Sequence, residues 1–375
     1  MRWDDARLLP LLADVRHRQG RLLGRMEGLG FRLRAEANLT TLTSDVVKSS
    51  AIEGSSLDAA QVRSSIARRL GLGFGGDVKV SRDVEGVVEM MLDATQDFAE
   101  PLTAERLFAW HASLFPTGRS GMRRITVGAW LPADIGAMQV VSGPIGHERV
   151  HFEAPKADRL AHEVSVFLDW FEAANGVDAV LKAGIGHFWF VTIHPFEDGN
   201  GRISRAIADM ALARAEDTAE RFYSMSTQIE AEKKQYYSNL EHSQKGGVDI
   251  TSWLEWFLGC LDRAVGGAEA GLANVLRKAR AWEQINSQLP VNERQRKVIN
   301  RLLDGFEGKL STSKYARLAK CSADTALRDI KTLLDRGILI QNQGGGRNTS
   351  YRLVEPRASG CALNSRCNHR KLRGE

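Results

Sequence analysis

His194-Pro195-Phe196-Glu197-Asp198-Gly199-Asn200-Gly201-Arg202-Ile203-Ser204-Arg205 is the stretch on which the reading of this chain turns. An apolar helical run, Ala179 to Ile193, leads into it, and a second, Ile203 to Ala213, leaves it. Pro195 ends the first helix and the two glycines open the second, so the stretch is a helix–loop–helix. Such a loop exposes backbone N–H groups at the positive end of a helix dipole, which suits a phosphate. Asn200 offers a further side-chain donor. Arg202 and Arg205 lie one helical turn apart and can face one anion. Asp198 is a hard oxygen ligand of the kind Mg²⁺ takes beside phosphate oxygens. His194 is a general base suited to neutral pH.

Every fixed position of the Fic family pattern, His-Pro-Phe-x-Asp-Gly-Asn-Gly-Arg-x-x-Arg, is present in this stretch, and the chain resembles that family from about residue 1 to 280. The resemblance implies a mainly α protein: an all-helical Fic fold with a small β-hairpin flap. It implies transfer of AMP from ATP, with Mg²⁺, to a Ser, Thr or Tyr hydroxyl of a protein, itself included. By position, His194 would deprotonate the target hydroxyl and Asp198 would hold Mg²⁺. Gly199, Asn200 and Gly201 would line the α-phosphate hole, and Arg202 and Arg205 would hold the outer phosphates. Val140 and Val141 would form the flap that clamps the target as an added strand. Tyr237, after the core, would line the adenine pocket; a plain surface or core tyrosine is the competing reading for it and for Tyr236.

Upstream, Ser49-Ser50-Ala51-Ile52-Glu53-Gly54 fits the inhibitory pattern of the same family. Glu53 would pair with Arg205 and occupy the charge that the γ-phosphate needs. An ordinary helix end capped by Gly54 is the alternative. Three other functions compete with AMP transfer. One is AMP removal, with Glu53 positioning water. Another is transfer of a different nucleotide moiety. The third is a nucleotide-sensing DNA-binding regulator, against which the base His194 argues.

Around these motifs, helical spacing is expected from Leu39 to Ile52, Leu57 to Leu70, residues 80–98, 102–115, 158–172, 228–243 and 249–280. Residues 122–155, rich in Gly, Pro and β-branched residues, read as one short hairpin or lid. Gly71-x-Gly73-x-x-Gly76 follows a helix and not a strand, which removes it as a dinucleotide fingerprint. His187, Trp253, Trp256 and Phe257 read as core at helical spacing. Residues 291–355 give helix, helix, turn, helix and hairpin, the order of a winged helix-turn-helix. Its candidate DNA contacts are Thr325, Arg328, Lys331 and Arg347. The expected domains are an N-terminal helical region (1–100), a catalytic core (101–280), the winged helix (285–356) and a basic, disordered-like tail (357–375).

The chain of 375 residues has 43% hydrophobic residues and four cysteines, too few and scattered for a disulfide framework. Cys361, Cys367 and His369 match no common zinc spacing. The start, MRWDDARLLP, lacks an apolar signal segment, and no run is long enough to span a membrane, so residence in the cytoplasm is expected. Residues 291–375 hold eighteen Lys or Arg against eight Asp or Glu; with +5 on the whole chain, the first 290 carry −5. The partners expected are a protein substrate, DNA through the winged helix and a second copy of the chain.

Overall fold

The computed structural model describes residues 1–73, 78–132, 136–142, 149–174, 176–286, 291–303, 306, 308–343 and 349–354. The chain divides into two compact units, Met1–Glu269 and Ala270–Glu375. Residues 1–100 and the motif region share the first of them. Among the described residues, strands are few, short and antiparallel, and everything else is helix or connection.

The first unit begins with α1 (Asp5–Glu27) and α2 (Phe31–Ile52). Asp4 caps α1, accepting from Ala6 N at 3.0 Å and Arg7 N at 3.4 Å. α2 starts at Phe31, earlier than its apolar spacing from Leu39 indicates, because Phe31 and Leu33 in its first turn are exposed and form no buried stripe. Four helices follow: α3 (Ala59–Arg69), α4 (Arg82–Gln96), α5 (Ala104–Leu114) and, past the strands, α6 (Ala157–Glu172). Thr103 caps α5, its hydroxyl accepting from Arg106 N at 3.2 Å.

α7 (Ala179–Ile193) is apolar on all sides, the pattern of a helix enclosed by others. It packs chiefly on α8 (Asn200–Glu216), with α6 on another side. Gly184 and Gly186 make the enclosure close. A Cβ on Gly184 would sit 2.9 Å from Phe257 Cδ1, and one on Gly186 would sit 3.0 Å from Phe171 Cε2. Phe257 belongs to α11 (Thr251–Asn286), whose Trp253 indole donates to Gly184 O at 2.8 Å. His187, Trp253 and Phe257 are fully buried and Trp256 nearly so, as their spacing indicated.

One long helix expected over 228–243 is two, α9 (Met225–Ala231) and α10 (Lys233–Lys245). The break falls at Glu232, whose carboxylate is held by Arg263 at 2.5 and 2.6 Å. No Gly or Pro marks that break in the sequence. α2 is fixed to this region by polar contacts. Asp45 Oδ1 accepts from the Ser224 hydroxyl and from Ser226 N at 3.1 Å, and Asn38 Oδ1 accepts from Arg221 N at 2.8 Å. Burial, reinforced by neighbouring Asp45, pushes the Asp209 carboxyl on α8 well above the usual carboxylate range.

Two hairpins occupy the stretch read as one. β1 (Arg119–Ser120) pairs with β2 (Arg123–Arg124), and β3 (Gln139–Ser142) pairs with β4 (Arg149–Glu153). The first is too short and too basic to show strand alternation. Val140 and Val141 lie on β3, with an irregularity in register between them.

The second unit has α12 (Glu293–Leu303), α13 (Thr312–Ala319), α14 (Ala323–Asp335), β5 (Leu339–Gln341) and β6 (Tyr351–Leu353). β5 and β6 are antiparallel, with Leu339 opposite Leu353. Val298, Ile299, Tyr315, Ala326, Ile330, Leu333 and Leu339 form its core. Three helices followed by an antiparallel hairpin make up the described part of this unit. Arg347, the glycine turn and the basic tail lie outside the described residues. No helix among the described residues is long and apolar enough to cross a membrane.

α4 meets α5 at Gly86, where a Cβ would overlap the carbonyl oxygen of Ser113. Gly86→Ala is expected to lower unfolding stability by about 1–3 kcal/mol despite its better helix propensity, because backbone must move to admit the methyl. Denaturant titration checks this; an unchanged or raised midpoint defeats it.

Candidate active site

α7 and α8 bring the motif together. His194 caps α7 with φ of 52°, a left-handed turn that swings the chain out of the helix. Its Nδ1 lies 3.3 Å from Val191 O. A carbonyl can only accept, so Nδ1 carries the proton and Nε2 is the basic nitrogen. Burial lowers the His194 pKa, against the opposing pull of Val191 O, Glu53 and Asp198. The ring is therefore neutral and basic at pH 7.

The loop between the helices is closed by Asn200. Its Nδ2 donates to Phe196 O at 2.7 Å and its Oδ1 accepts from Phe196 N at 3.0 Å. Both polar ends of the amide are thereby used inside the loop, and the second hydrogen on Nδ2 stays uncommitted. The Asn200 backbone is the first residue of α8. Phe196 stacks on His111 at 4.1 Å and 9°. His111 Nδ1 accepts from Gly128 N at 3.2 Å, and burial pushes its pKa down to about 4.

Gly199, with φ of 86°, turns the chain into α8. A Cβ there would sit 3.0 Å from Phe115 Cε2, and one on Gly201 would overlap Glu53 Oε1. The α8 N-terminus is thus bare backbone, and the group now filling it is the Glu53 carboxylate. Asp198 stands at the rim with its side chain 41% exposed. Its Oδ1 accepts from Gly199 N at 2.5 Å and lies 3.6 Å from Arg202 Nη2.

Arg205 is the deepest charge, at 2% exposure. Nε donates to Ser49 Oγ and Nη2 donates to Ser49 O and Glu53 Oε1, each at 2.9 Å. Its Nη1 has no partner, and neither has the buried Nε of Arg202, whose guanidinium lies 4.9 Å from the Phe115 ring centre. Two cationic donors without a hydrogen-bond partner among the described residues, beside a helix N-terminus, could hold a polyanion. Asp198 fits a magnesium ion that takes its remaining ligands from phosphate and water. Among the described residues no cluster of three or more His, Cys, Asp or Glu side chains exists.

Tyr237 is 39% exposed, with its hydroxyl 3.4 Å from Ile52 O at the end of α2. Tyr236 is buried instead, with its hydroxyl 3.1 Å from His187 Nε2. Burial lowers His187 to about 3, so that ring is neutral. His111, Phe115, Ser120 and Glu197 also touch the site. None was singled out from the sequence, since a lone aromatic, a hydroxyl or a variable motif position carries no periodic signal.

Residues 101–212 match the Fic/DOC family. Over that segment the chain is similar to a Fic domain. Residues 1–72 match a second family, described as Domain of unknown function (DUF4172). Protein adenylyltransferase fic-1 of Caenorhabditis briggsae is 25% identical over 167 residues, 44% of this chain and 30% of that protein. Protein adenylyltransferase Fic of Drosophila mojavensis is 23% identical over 224 residues, 57% of this chain and 38% of that protein. The chain therefore spans about a third of the length of these relatives. A Fic family protein from Desulfovibrio desulfuricans has a similar fold, with a TM-score of 0.51 at 22% identity over 92% of this chain and 95% of that one.

Asn200→Ala leaves the buried Phe196 N–H unpaired and is expected to cost about 1–3 kcal/mol of unfolding stability. Asn200→Asp, which keeps the acceptor, is expected to lose less. Equal midpoints for all three proteins in chemical denaturation would show that the loop does not depend on this brace.

Proposed function

We propose that the chain is a protein adenylyltransferase that moves AMP from ATP to a hydroxyl side chain of a protein and is held back by Glu53. The observation that carries this reading is the competition at the α8 N-terminus: Glu53 fills a cradle built for phosphate and takes Arg205, while a neutral histidine base stands beside it. His194 Nε2 takes the proton of the incoming hydroxyl. That oxygen bonds to the α-phosphorus as the bond from phosphorus to the bridging oxygen breaks, and pyrophosphate leaves. Gly199, Asn200 and Gly201 present backbone N–H groups to the α-phosphate, and Arg202 and Arg205 bind the outer phosphates. Mg²⁺ on Asp198 would neutralise phosphate charge. Tyr237 flanks the nucleotide. The β3 strand, with Val140 and Val141, offers its edge to an extended target segment. With Glu53 on Arg205 the outer phosphates are displaced and the α-phosphate is out of line, a misplacement that can cost about 10²-fold.

A second reading concerns the winged unit. On α14, Ala326, Asp329, Ile330 and Leu333 face the core, which leaves Arg328 and Lys331 exposed, with Thr325 at their edge. We propose that this face binds duplex DNA, in keeping with the basic balance of residues 291–375.

Glu53→Gly is expected to raise AMP incorporation from ATP labelled in the α-phosphate. Adding His194→Ala should then reduce it by about 10²–10⁴ without loss of ATP binding. No rise in the first variant defeats the inhibition, and equal incorporation with and without His194 defeats the transferase. For the winged unit, the full chain should shift a DNA duplex at low salt. Replacing Arg328 and Lys331 by Ala should lower the log–log salt slope by about two units. A chain that shifts no duplex overturns that second reading.

A further inference from the structure

The β1–β2 hairpin lies against the motif loop, and nothing so far assigns it a role. Glu197, the motif's variable position, anchors it. The Glu197 side chain is only 5% exposed. Its Oε1 accepts from Thr126 N at 2.8 Å and its Oε2 from Arg123 Nη2 at 2.5 Å. Burial alone would raise the Glu197 carboxyl, but these donors outweigh it and leave the pKa below its usual value. The hairpin is closed at its base by Ile125 N donating to Gly118 O at 3.2 Å, and at its tip by Arg119 Nη1 donating to Met122 O at 3.0 Å. So braced, it delivers one side chain to the rim of the site: the Ser120 hydroxyl donates to Asp198 Oδ2.

Asp198 then has one donor on each oxygen, Gly199 N on Oδ1 and Ser120 Oγ on Oδ2. Two donors fix the plane of a carboxylate that, at 41% exposure, would otherwise sample several rotamers. Each oxygen keeps a lone pair for a cation. We propose that Ser120 is a positioning residue for Asp198: its hydroxyl sets the carboxylate in the orientation that receives Mg²⁺, and Glu197 holds the hairpin that carries it. Partners of this kind commonly change metal affinity by about 10–100-fold. The proposal rests on the reading of Asp198 as the metal ligand.

The test is ATP binding by calorimetry across a MgCl₂ series, in the full chain carrying Glu53→Gly and His194→Ala so that the cradle is open and ATP is not consumed. Ser120→Ala should raise the Mg²⁺ concentration for half-maximal enhancement of ATP binding about tenfold. Metal-free ATP binding, measured with a chelator, should not change, and Ser120→Thr should restore the parent requirement. Glu197→Ala should shift the requirement in the same direction. An unchanged Mg²⁺ requirement in Ser120→Ala, while Asp198→Ala abolishes the enhancement, overturns the positioning role and leaves the metal ligand standing. Equal weakening with and without Mg²⁺ shows a merely structural contact and also overturns it. An unchanged Mg²⁺ requirement in Asp198→Ala removes the metal ligand itself, and the proposal with it.

Discussion

A guanidinium buried to 2% exposure needs partners, and three oxygen contacts support that of Arg205. Those oxygens belong to Ser49, on the last turn of α2, and to Glu53, which caps it. The need to satisfy Arg205 therefore fixes where α2 must end, and with it the whole face of α2 that packs on the core. It also fixes what α8 can be. Gly201 has no side chain because the Glu53 carboxylate occupies the space a Cβ would need. Satisfaction is incomplete even so, since Nη1 is left without a partner. A buried cation with an unused donor is what a second anion would exploit.

On the proposed reading the same groups serve two occupants. Glu53 brings one carboxylate to the mouth of α8, whereas a triphosphate would bring more charge and reach Arg202 as well. The loop does not have to rearrange for either, because Asn200 closes it on Phe196 and His111 stacks beneath. Its geometry is set before any ligand arrives, which is the condition for electrostatic preorganisation.

Much of this was legible in the sequence because the site is linear. His194 to Arg205 run from the cap of α7 through a short loop into the first turns of α8, so their types and spacing carry most of the geometry. Glu53 was legible for a different reason: its pattern resembles a known inhibitory one, although periodicity alone could not place it on Arg205. The order of helices and hairpin in the second unit was legible too, since each helix there carries its own apolar spacing. What escaped was set by tertiary contact. The inward turn of the Asn200 amide depends on backbone that the sequence does not show. The break at Glu232 comes from Arg263, distant in the chain. The β1–β2 hairpin is two residues a side and exists because Glu197 holds it. Tyr236 and Tyr237 are adjacent on α10, and only packing decides which faces the core.

α2 is no appendage. Leu39, Leu42 and Val46 are buried within the first unit, and Asp45 and Asn38 tie it to the segment around α9. Glu53, in contrast, sits past the last turn and is followed by Gly54 with φ of 80°. To clear the cradle the protein need not undock a helix, a motion on the microsecond-to-millisecond scale; a side-chain rotation on the picosecond-to-nanosecond scale suffices. A barrier of that kind flickers. On the proposed reading it would act through the fraction of time the cradle stands empty, a population of open molecules and not a single opening event.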